Sequence, residues 1–235
     1  FVLFYFNWLI NTPNYGPRVT GRIVAAAPAP RQPGEEITTI CATGAPALIV
    51  TPADSQAAEA AVTRTLAAQT AQVDGIILAS FGDTGLDAVR AQTSVPVVGI
   101  AQSAYAMASV LGPRMAIVSF APAMAEALRK TALGYGHGDR LAAMHMVTGA
   151  TWDDPGEIQD RLAPQLLALC QPSAHVDGVS SIVLGGGPLA GLAMRLQGQV
   201  AVPVIDGTTA AIATLRVALG TVPAATAPIL PALHA

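Results

Sequence analysis

One local pattern is written twice in this chain, and nothing else in the sequence narrows its fold as much. Residues Asp74–Leu86 read D-G-I-I-L-A-S-F-G-D-T-G-L, and Ser181–Leu192 read S-I-V-L-G-G-G-P-L-A-G-L. Each is an apolar run that breaks into glycines and leads toward a helix. Sixteen residues after the break at Ser80 comes Pro96-Val-Val-Gly-Ile100. Seventeen residues after the break at Gly186 comes Pro203-Val-Ile-Asp-Gly207. A strand, turn, helix, strand unit has been used twice, and a unit of that kind buries its strands only when helices cover them.

The rest of the chain agrees with an α/β fold. Strands are predicted at 37–41, 75–78, 95–100, 115–120, 141–147, 181–184 and 202–205, with helices at 55–72, 103–111, 122–133, 155–169 and 208–219. Such alternation builds largely parallel sheets flanked by helices. The repeat divides the chain into two pseudo-symmetric lobes, 1–110 and 111–206, with the C-terminal helix of 207–235 available to pack back on the first. Strand C-termini and lobe interfaces are where such folds bind ligands, so both turns are expected to open on one cleft.

Composition excludes several classes of partner. The chain is 52% hydrophobic and 11% charged with a net charge of −3, and no Lys/Arg cluster marks a nucleic-acid surface. No run approaches the ~18 uninterrupted apolar residues of a membrane span. The N-terminal Phe1–Ile10 reads as a buried first strand rather than a signal peptide. Cys41 and Cys170 are the only cysteines and show no metal-binding spacing, so neither a disulfide framework nor a metal site is expected. The default is a reduced, cytoplasmic protein that takes a small molecule and is apolar enough to self-associate as a homo-oligomer.

Glycines after a strand free backbone N–H groups for an anion. Ser80-Phe-Gly-Asp-Thr-Gly85 and Gly185-Gly-Gly-Pro188 both fit, and tight turning alone is the plainer explanation of each. Gly185-x-Gly187-x-x-Ala190, with Asp206 about 20 residues on, also matches a dinucleotide fingerprint, although it falls too near the chain's end to build the usual sheet. Asp83 is either a base at its turn or a helix cap. His145 reads as a core or edge residue, His137 as a solvated loop residue, and Tyr105 as facing either the cleft or the core.

Several of these segments, taken in order, resemble the Asp/Glu/hydantoin racemase superfamily, which includes arylmalonate decarboxylase and maleate isomerase. Ala79–Leu86 is similar to the hydantoin and allantoin racemase motif A-C-F-D-D-P-G-L. Gly99–Ala104 and Leu111–Arg114 resemble G-I-x-E-A-A and L-G-x-R, Ile182–Gly186 resembles V-L-G-C, and Pro203–Gly207 matches P-V-I-D-G. Ile10–Asn14 resembles the I-N-P-N turn with one residue inserted.

The resemblance implies a cofactor-independent racemase or isomerase acting at the carbon alpha to a carboxylate or carbonyl. In that family one cysteine from each lobe exchanges the α-proton, a task suited to a thiol whose ordinary pKa is about 8.5. Here the matching positions hold Ser80 and Gly186, so two-thiol racemisation is not open to this chain. With Asp83, these are the candidate catalytic positions. Asn14, Gly82, Thr84, Ser119 and Gly187 are the candidate positions for holding a small carboxylate or cyclic ureide. The alternatives are a decarboxylase-like lyase and a catalytically silent carboxylate-binding homologue.

Overall fold

The structure is a computed structural model that describes residues 6–12, 17–26, 35–69, 72–120, 122–151 and 153–221. Its first half runs β1 (Phe6–Thr12), α1 (Pro17–Ala26), β2 (Glu35–Cys41), α2 (Pro52–Ala67), β3 (Gly75–Leu78), α3 (Leu86–Arg90), β4 (Val97–Gly99) and α4 (Ile100–Leu111). Its second half runs β5 (Met115–Ser119), α5 (Ala125–Gly134), β6 (Leu141–Met146), α6 (Ile158–Val176), β7 (Ser181–Gly185), α7 (Leu192–Leu196), β8 (Val204–Asp206) and α8 (Gly207–Thr221).

The strands form two four-stranded sheets in the orders β2-β1-β3-β4 and β6-β5-β7-β8, every pair parallel. The two orders are the same order, so the repeat is real in three dimensions. Register agrees: Leu78 pairs with Gly99 in one sheet and Leu184 with Asp206 in the other. Strands β3, β5 and β7 are buried along their whole length, which is why each reads as a continuous apolar run. In each sheet the strand order reverses beside the first strand of the lobe, and the crevice at such a switch point is the natural ligand site. Ser80 follows β3 at one switch point, and Gly186 follows β7 at the other.

Helices α4 and α8 pack on one another, and each touches strands of the opposite sheet. The approach is close enough to need glycine: a Cβ on Gly207 would lie 2.6 Å from the Ile100 carbonyl oxygen, and one on Gly75 would lie 2.7 Å from Leu215 Cδ1. Buried Ala101, Ala104 and Ala108 on α4 and Ala210 and Ala211 on α8 keep that contact narrow. Arg216 on α8 donates two hydrogen bonds, of 2.9 and 2.8 Å, to Glu35 on β2, whose side chain is only 2% exposed. Arg216→Ala is expected to cost roughly 3 kcal/mol, because it removes the two-bonded cation of a buried ion pair while the carboxylate stays in place. Arg216→Lys should recover only part of that loss, since an ammonium cannot form the fork; urea denaturation midpoints would show both.

Three differences from the sequence reading have physical causes. Helix α1 was not anticipated, since Gly21 weakens the propensity; Val19, Ile23 and Ala26 nonetheless place one buried face at i, i+4 and i+7. Helix α6 runs through Pro172 to Val176 instead of stopping at Leu169, because the buried stripe Leu162, Leu166, Cys170 and Ser173 continues past the proline. Helix α4 begins at Ile100 rather than Ser103, for a reason that belongs to the candidate site.

Candidate active site

The two turns are built alike. In the first, the Asp83 N–H donates to the Ser80 carbonyl (2.9 Å); in the second, the Leu189 N–H donates to the Gly186 carbonyl (3.0 Å). Each then enters its short helix through a left-handed glycine, Gly85 at φ +81° and Gly191 at φ +78°. Both turns open on one cleft of about 640 Å³, mouth included. Ser80, Gly82 and Thr84 line it from the first lobe, Gly187 and Pro188 from the second, and the N-terminal end of α2 closes a third side with Thr51 and Ser55. Ser80 and Thr84 are buried, with their hydroxyl oxygens 3.4 Å apart.

The cleft has an unusual chemical character. Among the described residues that line it, none is charged and none is a cysteine, histidine or tyrosine. Its polar groups are hydroxyls and backbone amides; the rest, including Leu48, Ile49, Phe81, Met124 and Leu128, is apolar. Gly187 opens a 3-10 turn, Gly187–Leu189, in which Pro188 has no N–H and Leu189 donates to Gly186, so the Gly187 N–H is the one without an acceptor within the turn.

Asp83 lies behind this surface. It lines a separate depression with Glu59, Lys130 and Tyr135. Its Oδ1 accepts from the Ala101 N–H (3.0 Å), and its Oδ2 accepts from the Gln102 N–H (2.7 Å) and the Tyr135 hydroxyl (2.8 Å). The first two are N-terminal donors of α4, so Asp83 caps that helix from another element, and this is why α4 can start directly at the end of β4. The cap needs room: a Cβ on Gly99 would collide with the Asp83 carboxyl group. It also needs a left-handed backbone, since Asp83 at φ +47° is the one non-glycine residue with positive φ among those described. Burial pushes the Asp83 carboxyl above its usual range, against the pull of its three hydrogen bonds.

The second lobe makes the same tie in the other direction. Asp206, at the position equivalent to Gly99, accepts from the Thr209 N–H (2.9 Å) and hydroxyl (3.0 Å) at the start of α8. The backbone N–H groups of Gly191 and Thr208 also bond it, while burial pushes its carboxyl up. Asp206 is therefore a cap shared between helix and turn, and it does not line the cleft.

The remaining sequence candidates separate. Gly82, Thr84 and Gly187 reach the cleft, whereas Ser119 is fully buried in β5 and donates its hydroxyl to the Gly185 carbonyl at 2.5 Å. Asn14 lies outside the described residues. Gly186 sits at φ +143°, and Phe120, rather than Gly186, lines the cleft beside it. Tyr105 is a core residue that donates to the Leu128 carbonyl at 3.2 Å and meets Phe81 edge to face. His137 is half-buried instead of solvated; its Nδ1 has no partner among the described residues, and burial lowers its pKa. His145 pairs with Asp177 at 2.7 Å. Cys170 is buried, its thiol pushed up to about 12, and Cys41 lies 2.9 Å from the Thr20 hydroxyl; neither lines the cleft.

The dinucleotide motif lacks its setting, because the glycines of 185–187 lead into a 3-10 turn and a five-residue helix rather than a long helix whose N-terminus could hold a pyrophosphate. Thr51 and Ser55, by contrast, were missed, although Thr51-Pro-Ala-Asp54 carries the signal of a capping box, and that box is formed.

Two same-order parallel sheets with a cleft shared between their equivalent turns define a duplicated α/β protein of racemase-like architecture. The chain belongs to the Asp/Glu/hydantoin racemase family, whose model matches residues 9–215. It is 35% identical to a hydantoin racemase of Paenarthrobacter aurescens over 153 residues, which make up 63% of each chain. The match thus spans less than two thirds of that relative. Among solved structures, an allantoin racemase from Klebsiella pneumoniae is 33% identical with a TM-score of 0.79, covering 92% of this chain and 89% of that one. An allantoin racemase from Pseudomonas fluorescens is 25% identical with a TM-score of 0.83, covering 91% and 92%. No helix among the described residues is long and apolar enough to cross a membrane.

Proposed function

We propose that this chain is a cofactor-independent enzyme of the racemase and isomerase type. It acts at the carbon alpha to a carbonyl or carboxylate of a small amino-acid derivative or hydantoin. The observation that carries this reading is the shared cleft, lined by two buried hydroxyls of one turn and by Gly187 and Pro188 of its counterpart. Family membership supports it, as do relatives named for hydantoin and allantoin racemisation.

Removing an α-proton leaves an electron pair that must move into the adjacent carbonyl as an enolate. Preorganised donors aimed at that oxygen lower the barrier, typically by ~10²–10³-fold in rate per donor. The hydroxyls of Thr51 and Ser55 and the N–H groups of the two turns are the available donors. Ser80 can take the α-proton as its own passes toward Thr84 and on to solvent. With no titratable side chain in the described cleft, the rate should climb with hydroxide rather than follow a bell-shaped profile.

That same lack of a base in the described cleft favours two other readings. A lyase that expels CO2 needs no proton acceptor, and a silent homologue needs none either. Proton NMR in deuterated buffer, with hydantoins, allantoin, aspartate, glutamate and arylmalonates, separates the three. Loss of the α-proton above the protein-free rate is expected, first for uncharged hydantoins because no charged side chain is seen in the cleft. Decarboxylation of an arylmalonate alone would make it a lyase, and saturable binding without either reaction would make it a binder.

A further inference from the structure

The repeat makes Ser80 and Gly186 equivalent, yet only Ser80 reaches the cleft. What stands at the other position is an aromatic ring. A Cβ built on Gly186 would fall well inside contact distance of Phe120 Cε1 and 3.1 Å from its Cδ1. Phe120 follows β5, is fully buried, and lines the cleft beside Gly187 and Pro188. The Gly186 backbone, at φ +143°, is itself one that side-chain-bearing residues rarely adopt.

We propose that Phe120 is a specificity-determining residue that makes the cleft one-sided, filling the space any side chain at 186 would need. A ligand between the turns then meets a hydroxyl on its first-lobe face and a flat apolar ring on its second-lobe face. Resting on the proposed function, this gives a stereochemical consequence. The α-proton leaves on the Ser80 side, its electron pair enters the carbonyl, and a proton from solvent returns by the same hydroxyl to the same face. One enantiomer exchanges its α-hydrogen and keeps its configuration, and the other meets no hydroxyl partner for its proton among the described residues of the second lobe's turn.

Two experiments test this, the first of them independently of any activity. In the first, melting temperatures are compared for Gly186→Cys, Phe120→Ala and the double variant, with Gly186→Ala as a smaller probe should the cysteine variant not fold. Gly186→Cys should melt several degrees low through overpacking, and Phe120→Ala should return part of that loss, so the double variant melts above the sum of the single effects. Strictly additive losses, or an unchanged Gly186→Cys, would overturn the assignment of Phe120.

In the second, enantiopure 5-benzylhydantoins are incubated in deuterated buffer, and exchange and optical purity are followed together after subtracting the protein-free rates. Exchange of one enantiomer with its optical purity retained supports the one-sided cleft, while racemisation keeping pace with exchange refutes it. Absence of exchange in both enantiomers would count against the proposed reaction, and the first experiment would still decide the role of Phe120.

Discussion

Ser80→Ala is expected to cut α-proton exchange by ~10²-fold or more, the usual range for removing a positioned acid or base, while ligand affinity changes little. The reason is positional. Ser80 is the residue at a strand-end break that presents a side chain to the cleft, and its hydroxyl has a partner, Thr84, along which a proton can move. Ser80→Cys should act oppositely. A thiol ionises near pH 8.5 when unperturbed, so the variant should exchange faster than wild type and gain an inflection in its pH profile that wild type lacks. Full activity in Ser80→Ala would place the chemistry elsewhere. Activity confined to Ser80→Cys would mean that the natural chain binds without turning over.

The second large effect belongs to Asp83. Asp83→Ala would leave the buried Ala101 N–H and the half-buried Gln102 N–H without their acceptor, release the Tyr135 hydroxyl, and put alanine at φ +47°. Unmet buried donors cost ~1–3 kcal/mol each, so a loss of roughly 3 kcal/mol or more is expected. Asp83→Asn should lose less, because asparagine tolerates the left-handed backbone and keeps one acceptor, though its amide nitrogen would face a donor. The pH dependence has a definite sign. A carboxyl raised in the folded state binds its proton more tightly there than in the unfolded chain. Its contribution is therefore complete below the ordinary carboxylate pKa and is lost as pH rises through the raised value. Denaturation midpoints from pH 4 to 8 should show wild type losing stability relative to Asp83→Asn as the pH rises. The opposite slope would mean that the three hydrogen bonds outweigh burial.

Much of the architecture was legible because a parallel α/β lobe advertises itself. Its strands are buried on both faces and its turns need glycine, so two copies of one pattern announced two sheets of one order. What stayed hidden was non-local. The start of α4 is set by a carboxylate 17 residues upstream of Ile100, and no feature of residues 96–103 reveals it. Of the candidate site, the cleft-lining positions Ser80, Gly82, Thr84 and Gly187 are marked by the repeat, since they occupy the breaks. Ser119 could not be judged that way: a serine ending a strand reads the same whether it faces a ligand or a neighbouring carbonyl. The part proposed for Phe120 was equally hidden, since it depends on which ring lies over which backbone. Thr51 and Ser55 enter the cleft through the placement of α2, which its capping box locates only along the chain.

Each central helix begins on one carboxylate, but the two lobes keep it on opposite parts of the repeat. The first has Asp83 on the turn and Gly99 at the strand end, and the second has Leu189 on the turn and Asp206 at the strand end. The halves are therefore no longer interchangeable parts. Grafting the first turn onto the second lobe would crowd two carboxylates into one space, and the reverse graft would leave α4 with none. Either position can change only together with its counterpart. A duplication that began with equal halves would be held in this way to an unequal division of labour, in which the turn that presents the Ser80 hydroxyl also carries the carboxylate that anchors its helix.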